Sequence, residues 1–154
     1  MTPEFLTYAL STPQLPGMTL NETTIAQGWI KAHANDYDTV DFQVRIGTQQ
    51  DPGPNFAPAI RQQAMIASQK RVDMVAKRGT TVALVELKIR ANLGAMGQLL
   101  GYYTLWTAEN PGLHRVKLIC IAQTALVDAV ELFHARGLTL ELFPDVLIAQ
   151  LPPG

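Results

Sequence analysis

Residues 71–88, RVDMVAKRGTTVALVELK, place two apolar runs on either side of a glycine-containing turn. Arg71–Ala76 and Thr81–Lys88 read as strands joined through Lys77-Arg78-Gly79-Thr80, which predicts a β-hairpin. Side chains alternate between faces along a strand. Glu86 and Lys88 therefore share one face, while Val85 and Leu87 turn to the core. Asp73 lies between Val72 and Met74 in the first strand. It comes alongside Glu86 only if the two strands are staggered or splayed, and the register is left open by the sequence. Two carboxylates and an ammonium inside apolar strands are costly unless they are paired or hold a cation.

Outward from the hairpin, periodicity and turn chemistry sketch the other elements. Residues 1–20, with Pro3, Pro13, Pro16 and Gly17, read as an arm or short helix followed by a turn. Asn21 is placed to cap a helix running to about Ala34, with Ile25, Trp29 and Ile30 on its apolar face and Leu20 and Ile25 as a staple. Thr39–Gly47 alternates, with Val40, Phe42, Val44 and Ile46 expected on one face and Asp41, Gln43 and Arg45 on the other. Asp51–Pro58 is a loop, and Pro58 opens a short helix reaching about Gln69. After the hairpin, Leu93–Trp106 is helical from a start near Asn92. Asn110-Pro111-Gly112 is a turn, and Val116–Ala122 is a nearly all-apolar, buried strand. Ala125–Arg136 is a helix stopped by Gly137. Leu138–Phe143 is a strand closed by Pro144, and Val146–Leu151 is a candidate edge strand. The last strand–helix–strand unit should be a parallel crossover. The expected fold class is α/β: a central mixed sheet flanked by helices, in a single domain over residues 1–154. Its core covers about 21–143, with proline-rich arms at 1–20 and 144–154 that could pack on neighbouring subunits.

The 154-residue chain carries a net charge of −1, but its charge is unevenly spread. Residues 1–60 hold two basic and six acidic side chains, and residues 91–154 hold three and five. Residues 61–90 hold seven basic side chains and only two acids, Asp73 and Glu86. A basic block around two isolated acids suits a polyanion site containing a metal; a solvated hairpin edge is the plainer alternative. The single Cys120 cannot form an internal disulfide and falls in an apolar run, as a core residue would. No stretch has the length of a membrane span, and the N-terminus does not read as a signal peptide, which points to a cytoplasmic protein, or a virion-associated one if phage-encoded. His33, His114 and His134 show no metal-ligand spacing, and no phosphate-binding glycine loop or zinc pattern is present.

Asp73 and Glu86 are oxygen donors suited to a hard cation such as Mg²⁺ or Mn²⁺, and the Leu87 backbone carbonyl could add a third oxygen. Such a cation activates water and offsets charge on a phosphate. Lys88 would orient the water or stabilise developing negative charge. The same three side chains could also be a structural ion-pair cluster.

Asp73 followed thirteen residues later by Glu86-Leu87-Lys88 resembles the acid…acid-X-Lys signature of the PD-(D/E)XK nuclease superfamily. Val72 stands where that signature often has proline. The E-X-K ends an apolar strand and is followed by a helix with Gln98-Leu99-Leu100-Gly101-Tyr102, similar to the Gln-X-X-X-Tyr helix of the RecB-like branch. The resemblance spans roughly residues 21–143 and implies a restriction-endonuclease-like core. It further implies a metal-dependent nuclease acting on DNA, with Gln98 near the metal site contacting Lys88 or substrate, and Tyr102 contacting DNA. Glu22 matches an acid that the first helix often contributes as an extra ligand; a first-turn acid favoured by the helix dipole is the plainer reading. Arg71 and Arg90 are candidate nucleic-acid contacts. Gly94, Gly97 and Gly101 on the same helix point to close approach, to the sheet or to a DNA backbone.

Without a sequence-reading domain in view, such an enzyme would act on ends, single strands or branched DNA, or be delivered by a partner protein or a homo-oligomer. Two other readings compete. One is a docking or virion structural protein built on a nuclease-like fold, and the other a nucleic-acid-binding module without catalysis.

Overall fold

The computed structural model describes residues 1–112 and 114–145. Five strands form one mixed sheet: β1 (Thr39–Ile46), β2 (Lys70–Arg78), β3 (Thr81–Ala91), β4 (Arg115–Ala125) and β5 (Thr139–Leu142). Their spatial order is their chain order. β1, β2 and β3 are antiparallel neighbours; β3–β4 and β4–β5 are parallel. Tight turns are available only to the antiparallel pairs, so each parallel step is bridged by a helix. These helices are α4 (Leu93–Glu109) between β3 and β4, and α5 (Val127–Ala135) between β4 and β5. Three more helices, α1 (Pro3–Ser11), α2 (Leu20–Ala32) and α3 (Pro58–Ser68), complete the α/β fold. None of the described helices is long and apolar enough to cross a membrane.

The hairpin reading of 71–88 holds, with Gly79 at φ +55 in its turn. β3 shows why the sheet must be covered on both sides. Ala83, Val85 and Leu87 join Ile25, Trp29 and Ile30 of α2 in one core, whereas Val82 and Leu84 join Leu99, Tyr102 and Trp106 of α4 in the other. Residues 82–87 are consequently all buried, Glu86 among them. Each large apolar side chain so enclosed contributes about 1.5–3 kcal/mol. Both tryptophans and Cys120 are core residues. Burial, then the nearby Glu86 charge, pushes the Cys120 thiol up to about 12, which leaves it unreactive.

The structure decides one expectation and corrects two. Of the two readings of the N-terminal segment, an arm or a short helix followed by a turn, the helix forms, as α1, and the segment packs. Ala9, Leu15 and Met18 are buried in the α2 core. Gln27 Nε2 donates to the carbonyls of Ala9 and Thr12 at 2.9 Å each, and the Leu15 N–H donates to Thr23 Oγ1 at 2.9 Å. The prolines mark the ends of α1 and its exit turn, while apolar residues between them are spaced to pack. Secondly, α2 is capped by Thr19 and not by Asn21: the Thr19 hydroxyl accepts from the Glu22 N–H while the Glu22 carboxylate accepts from the Thr19 N–H at 2.7 Å. Leu20, now the first helical residue, is exposed and forms no staple. Thirdly, β1 does not keep one apolar face. Val40 and Phe42 pack towards α1 and α2, but Val44 and Ile46 pack towards α4. The expected edge strand Val146–Leu151 lies outside the described residues.

Candidate active site

The reversal in β1 has a counterpart in β2, and the two together build the site. Met74 faces the α2 core and Val72 the α4 core, although strict alternation would put them on one face. The turnover falls at Asp73 in β2 and at Gln43 in β1. These residues lie opposite each other, between the pairs Phe42↔Met74 and Val44↔Val72. Gln43 has φ +54, and among the described residues no other non-glycine has positive φ.

On its other side β2 parts from β3 at the same level. Pairing runs from Arg78↔Thr81 to Met74↔Val85 and stops there. Asp73 and Glu86 are the next positions, so the two acids meet where the strands splay. The Asp73 side chain takes over from the ladder: its Oδ2 accepts the Leu87 N–H at 2.8 Å. The open register of the hairpin is thereby settled in the splayed form.

Glu86 and Lys88 share the α4 face of β3, with Leu87 on the opposite core. Lys88 Nζ lies 2.6 Å from Glu86 Oε1. The other oxygen, Oε2, faces Tyr102 at 3.0 Å. Asn92 caps α4 by accepting from the Ala95 N–H at 3.1 Å, and the buried stripe Ala95, Leu99, Tyr102 and Trp106 fixes the helix on the sheet. That rotation turns the Tyr102 ring inward. Its single hydroxyl proton is shared between Glu86 and the Arg71 carbonyl, 2.9 Å away, while the oxygen accepts from Gln98 Nε2 at 3.3 Å. Tyr102 thus orients Glu86 and is only 5 % exposed, a poor position for the expected contact with DNA.

These residues line an open pocket of about 430 Å³, together with Glu22, Gln43, Arg71 and Gln98. Gln98 reaches the same pocket as Lys88, as expected from its place on α4, and its direct partner is Tyr102. Arg71 contributes its backbone carbonyl to the site and its side chain to the rim. Arg90, exposed further along β3, does not line the pocket. Gly94, Gly97 and Gly101 do not approach the sheet. Nothing lies within 4 Å of a Cβ built at Gly97 or Gly101, and the three glycines line an adjoining open groove of about 740 Å³ with Lys70 at its edge.

The electrostatics are those of two acids competing for one pocket. Burial raises the pKa of Asp73; the Leu87 N–H and the Lys88 charge work against this, and Glu22 adds to it. Burial also raises Glu86, reinforced by the Asp73 charge and opposed by Lys88 and Tyr102. For Lys88 burial acts downward, but the bond and charge of Glu86, helped by Asp73, outweigh it and raise its pKa. Tyr102 is raised by burial and by Glu86. One ammonium therefore serves two carboxylates, and a further positive charge would be stabilising there.

The donor set fits a hard divalent cation. Asp73 and Glu86 present carboxylate oxygens beside Leu87, whose N–H is held by Asp73. Among the described residues no three His, Cys, Asp or Glu side chains come together as ligands. Such a set suits Mg²⁺ or Mn²⁺, which take one or two carboxylates and complete their shell with water and substrate. Glu22 borders the pocket, but its carboxylate is engaged in the α2 capping box.

Gln43 and Gly17 are among the residues of the pocket that escape the sequence reading, with Ala67, Gln69 and Lys70. Gln43 looked like an outward residue of an alternating strand. Gly17 looked like turn punctuation, yet a Cβ there would sit 2.4 Å from Gln43 Cδ. The one local hint was a glycine after Pro16, and nothing in it points to β1.

No protein-family model matches the sequence, and no curated protein does. Solved structures with a similar chain path include an EndoMS–dsDNA2 complex, at 17 % identity and TM-score 0.47 over 86 % of this chain. A repair endonuclease from Pyrococcus abyssi is similar at 17 % identity and TM-score 0.48 over 84 %. The chain spans about half the length of each, 48 % and 49 % respectively.

Proposed function

We propose that the chain is a Mg²⁺- or Mn²⁺-dependent deoxyribonuclease of the PD-(D/E)XK kind. The observation that carries this reading is the meeting of Asp73 and Glu86 at the β2–β3 splay, with Lys88 bonded to Glu86, in an open pocket. A purely structural ion-pair cluster would balance its charges. Here two buried acids share one lysine, and burial raises the pKa of both from the ordinary carboxylate value.

In this reading Asp73, Glu86 and the Leu87 carbonyl hold the cation, which when bound supplies charge neutralisation at the phosphate and activates water. Lys88, bonded to Glu86 at the pocket, would orient the water or meet negative charge on the phosphate. Tyr102 keeps Glu86 in place through its hydroxyl. Gln98 steadies Tyr102 and borders the substrate. The basic side chains of Lys70 and Arg71 at the rim favour a polyanion.

The test is incubation of the protein with single-stranded and duplex DNA in Mg²⁺, in Mn²⁺ and in EDTA. Cleavage with either metal and none in EDTA is expected. Protein that cuts neither DNA form and binds no metal would leave a docking protein on a nuclease-like fold as the better account.

A further inference from the structure

We propose that Gln43 is a positioning residue for the carboxylate pair: its side chain, carried across Gly17 by a strained backbone, holds the Asp73 carboxylate in the orientation that takes a divalent cation. This inference rests on the nuclease reading of the site.

Three observations converge on it. The first is the backbone. Gln43 sits at φ +54 inside a strand, a conformation that glycine or asparagine adopts at lower cost. Non-glycine residues persist there when the surroundings over-determine them, and such residues gather at functional sites. The second is the path of the side chain. Gly17, itself at φ +69, lies against it so closely that an added Cβ would come within 2.4 Å of Cδ and 2.7 Å of Oε1 of Gln43. The turn between α1 and α2 thus leaves room for this one side chain. The third is the amide. Gln43 Nε2 is buried without a hydrogen-bond partner in the protein, and Gln43 stands opposite Asp73 across the β1–β2 pair, lining the same pocket. A buried donor without an acceptor is expensive.

Accounting for the oxygens of Asp73 gives the amide its role. Oδ2 is anchored by the Leu87 N–H. A single anchor leaves the carboxylate free to swing about its last bond, whereas a second fixes its plane. A carboxylate holding a cation is a charged acceptor, and charge-assisted hydrogen bonds are the stronger kind. The amide nitrogen is shielded from solvent, so it acts through Asp73 and does not touch the substrate.

The experiment is calorimetric titration of the full chain with Mn²⁺, without DNA, alongside thermal unfolding, for wild type, Gln43→Gly and Gln43→Asn. Gln43→Gly relieves the backbone and removes the amide. It should melt at or above the wild-type temperature and bind Mn²⁺ about tenfold or more weakly, the usual effect of losing a partner of a metal ligand. Gln43→Asn suits the backbone but stops one methylene short, so its affinity should fall as well. Wild-type affinity, within twofold, in either folded variant overturns the proposal. Should Gln43→Gly fail to fold, Gln43→Asn decides on the same criterion. Wild-type protein that neither binds Mn²⁺ nor cuts DNA removes the nuclease reading and this inference together. Wild-type protein that does both, with variants indistinguishable from it, removes this inference alone.

Discussion

In the proposed site Asp73 and Glu86 are buried carboxylates, held in a place that disfavours charge. Both have pKa values raised in the folded state, primarily by burial. The folded protein therefore binds protons more tightly there than the unfolded chain. Without metal, its stability should decline as pH rises from about 4, the ordinary carboxylate value, through the raised folded values. Lys88, raised by its partners, contributes stability that is present at neutral pH and lost only in alkali. Urea unfolding across pH 4–8 should show the decline, and Asp73→Asn should flatten it while raising stability at pH 7. A second prediction concerns Tyr102. Tyr102→Phe removes a donor from buried Glu86 and should cost about 1 kcal/mol in the same assay. At this scale the sequence was informative about identity and poor about geometry. The shared face of Glu86 and Lys88 follows from alternation. The meeting with Asp73 follows from the register that the tight turn sets, which continued past Met74↔Val85 brings Asp73 opposite Glu86; the parting of the strands beyond that pair is what no residue in the hairpin announces.

At the scale of elements, legibility follows how locally each feature is determined. β3 and β4 are continuous apolar runs, and the helices between parallel strands follow from the need to cross the sheet. α4 starts at Asn92 as expected but runs on to Glu109. β1 and β2 defeat the reading of β1, because the change of face at Gln43 and Asp73 is imposed by partners distant in sequence. The capping of α2 was misplaced by two residues because Thr19, Asn21 and Glu22 all suit a first turn; the reciprocal Thr19–Glu22 bonds decide it. Thr19→Ala should cost about 1 kcal/mol and also loosen Glu22 at the pocket edge. The α4 glycines give a prediction of opposite sign. Gly97 and Gly101 have open space where a Cβ would go, so Gly97→Ala and Gly101→Ala should each stabilise the fold by about 0.5–1 kcal/mol, read from urea unfolding. A change of that sign excludes a packing reason for these glycines.

Considered as a whole, the molecule is a mixed sheet in which the edge strand β1 and its neighbour β2 distort beside β3, the strand leading into the parallel half, and the pocket lies at the distortion. The N-terminal segment belongs to this arrangement. Its buried Ala9, Leu15 and Met18 support α2, and its Gly17 admits Gln43. Its prolines and glycine make it read as an arm or as a short helix and turn, whereas its few apolar residues determine where it packs. The nuclease proposal requires Asp73, Glu86 and Lys88 to form a working metal-dependent site. The most direct measurement is the rate of DNA cleavage in saturating Mn²⁺ by wild type and by Glu86→Gln, which keeps the shape of the side chain and its contact with Tyr102. Loss of one ligand should remove several kcal/mol of stabilisation from the reaction, a fall of about a thousandfold or more. Cleavage by Glu86→Gln at the wild-type rate would contradict the account and place the chemistry elsewhere.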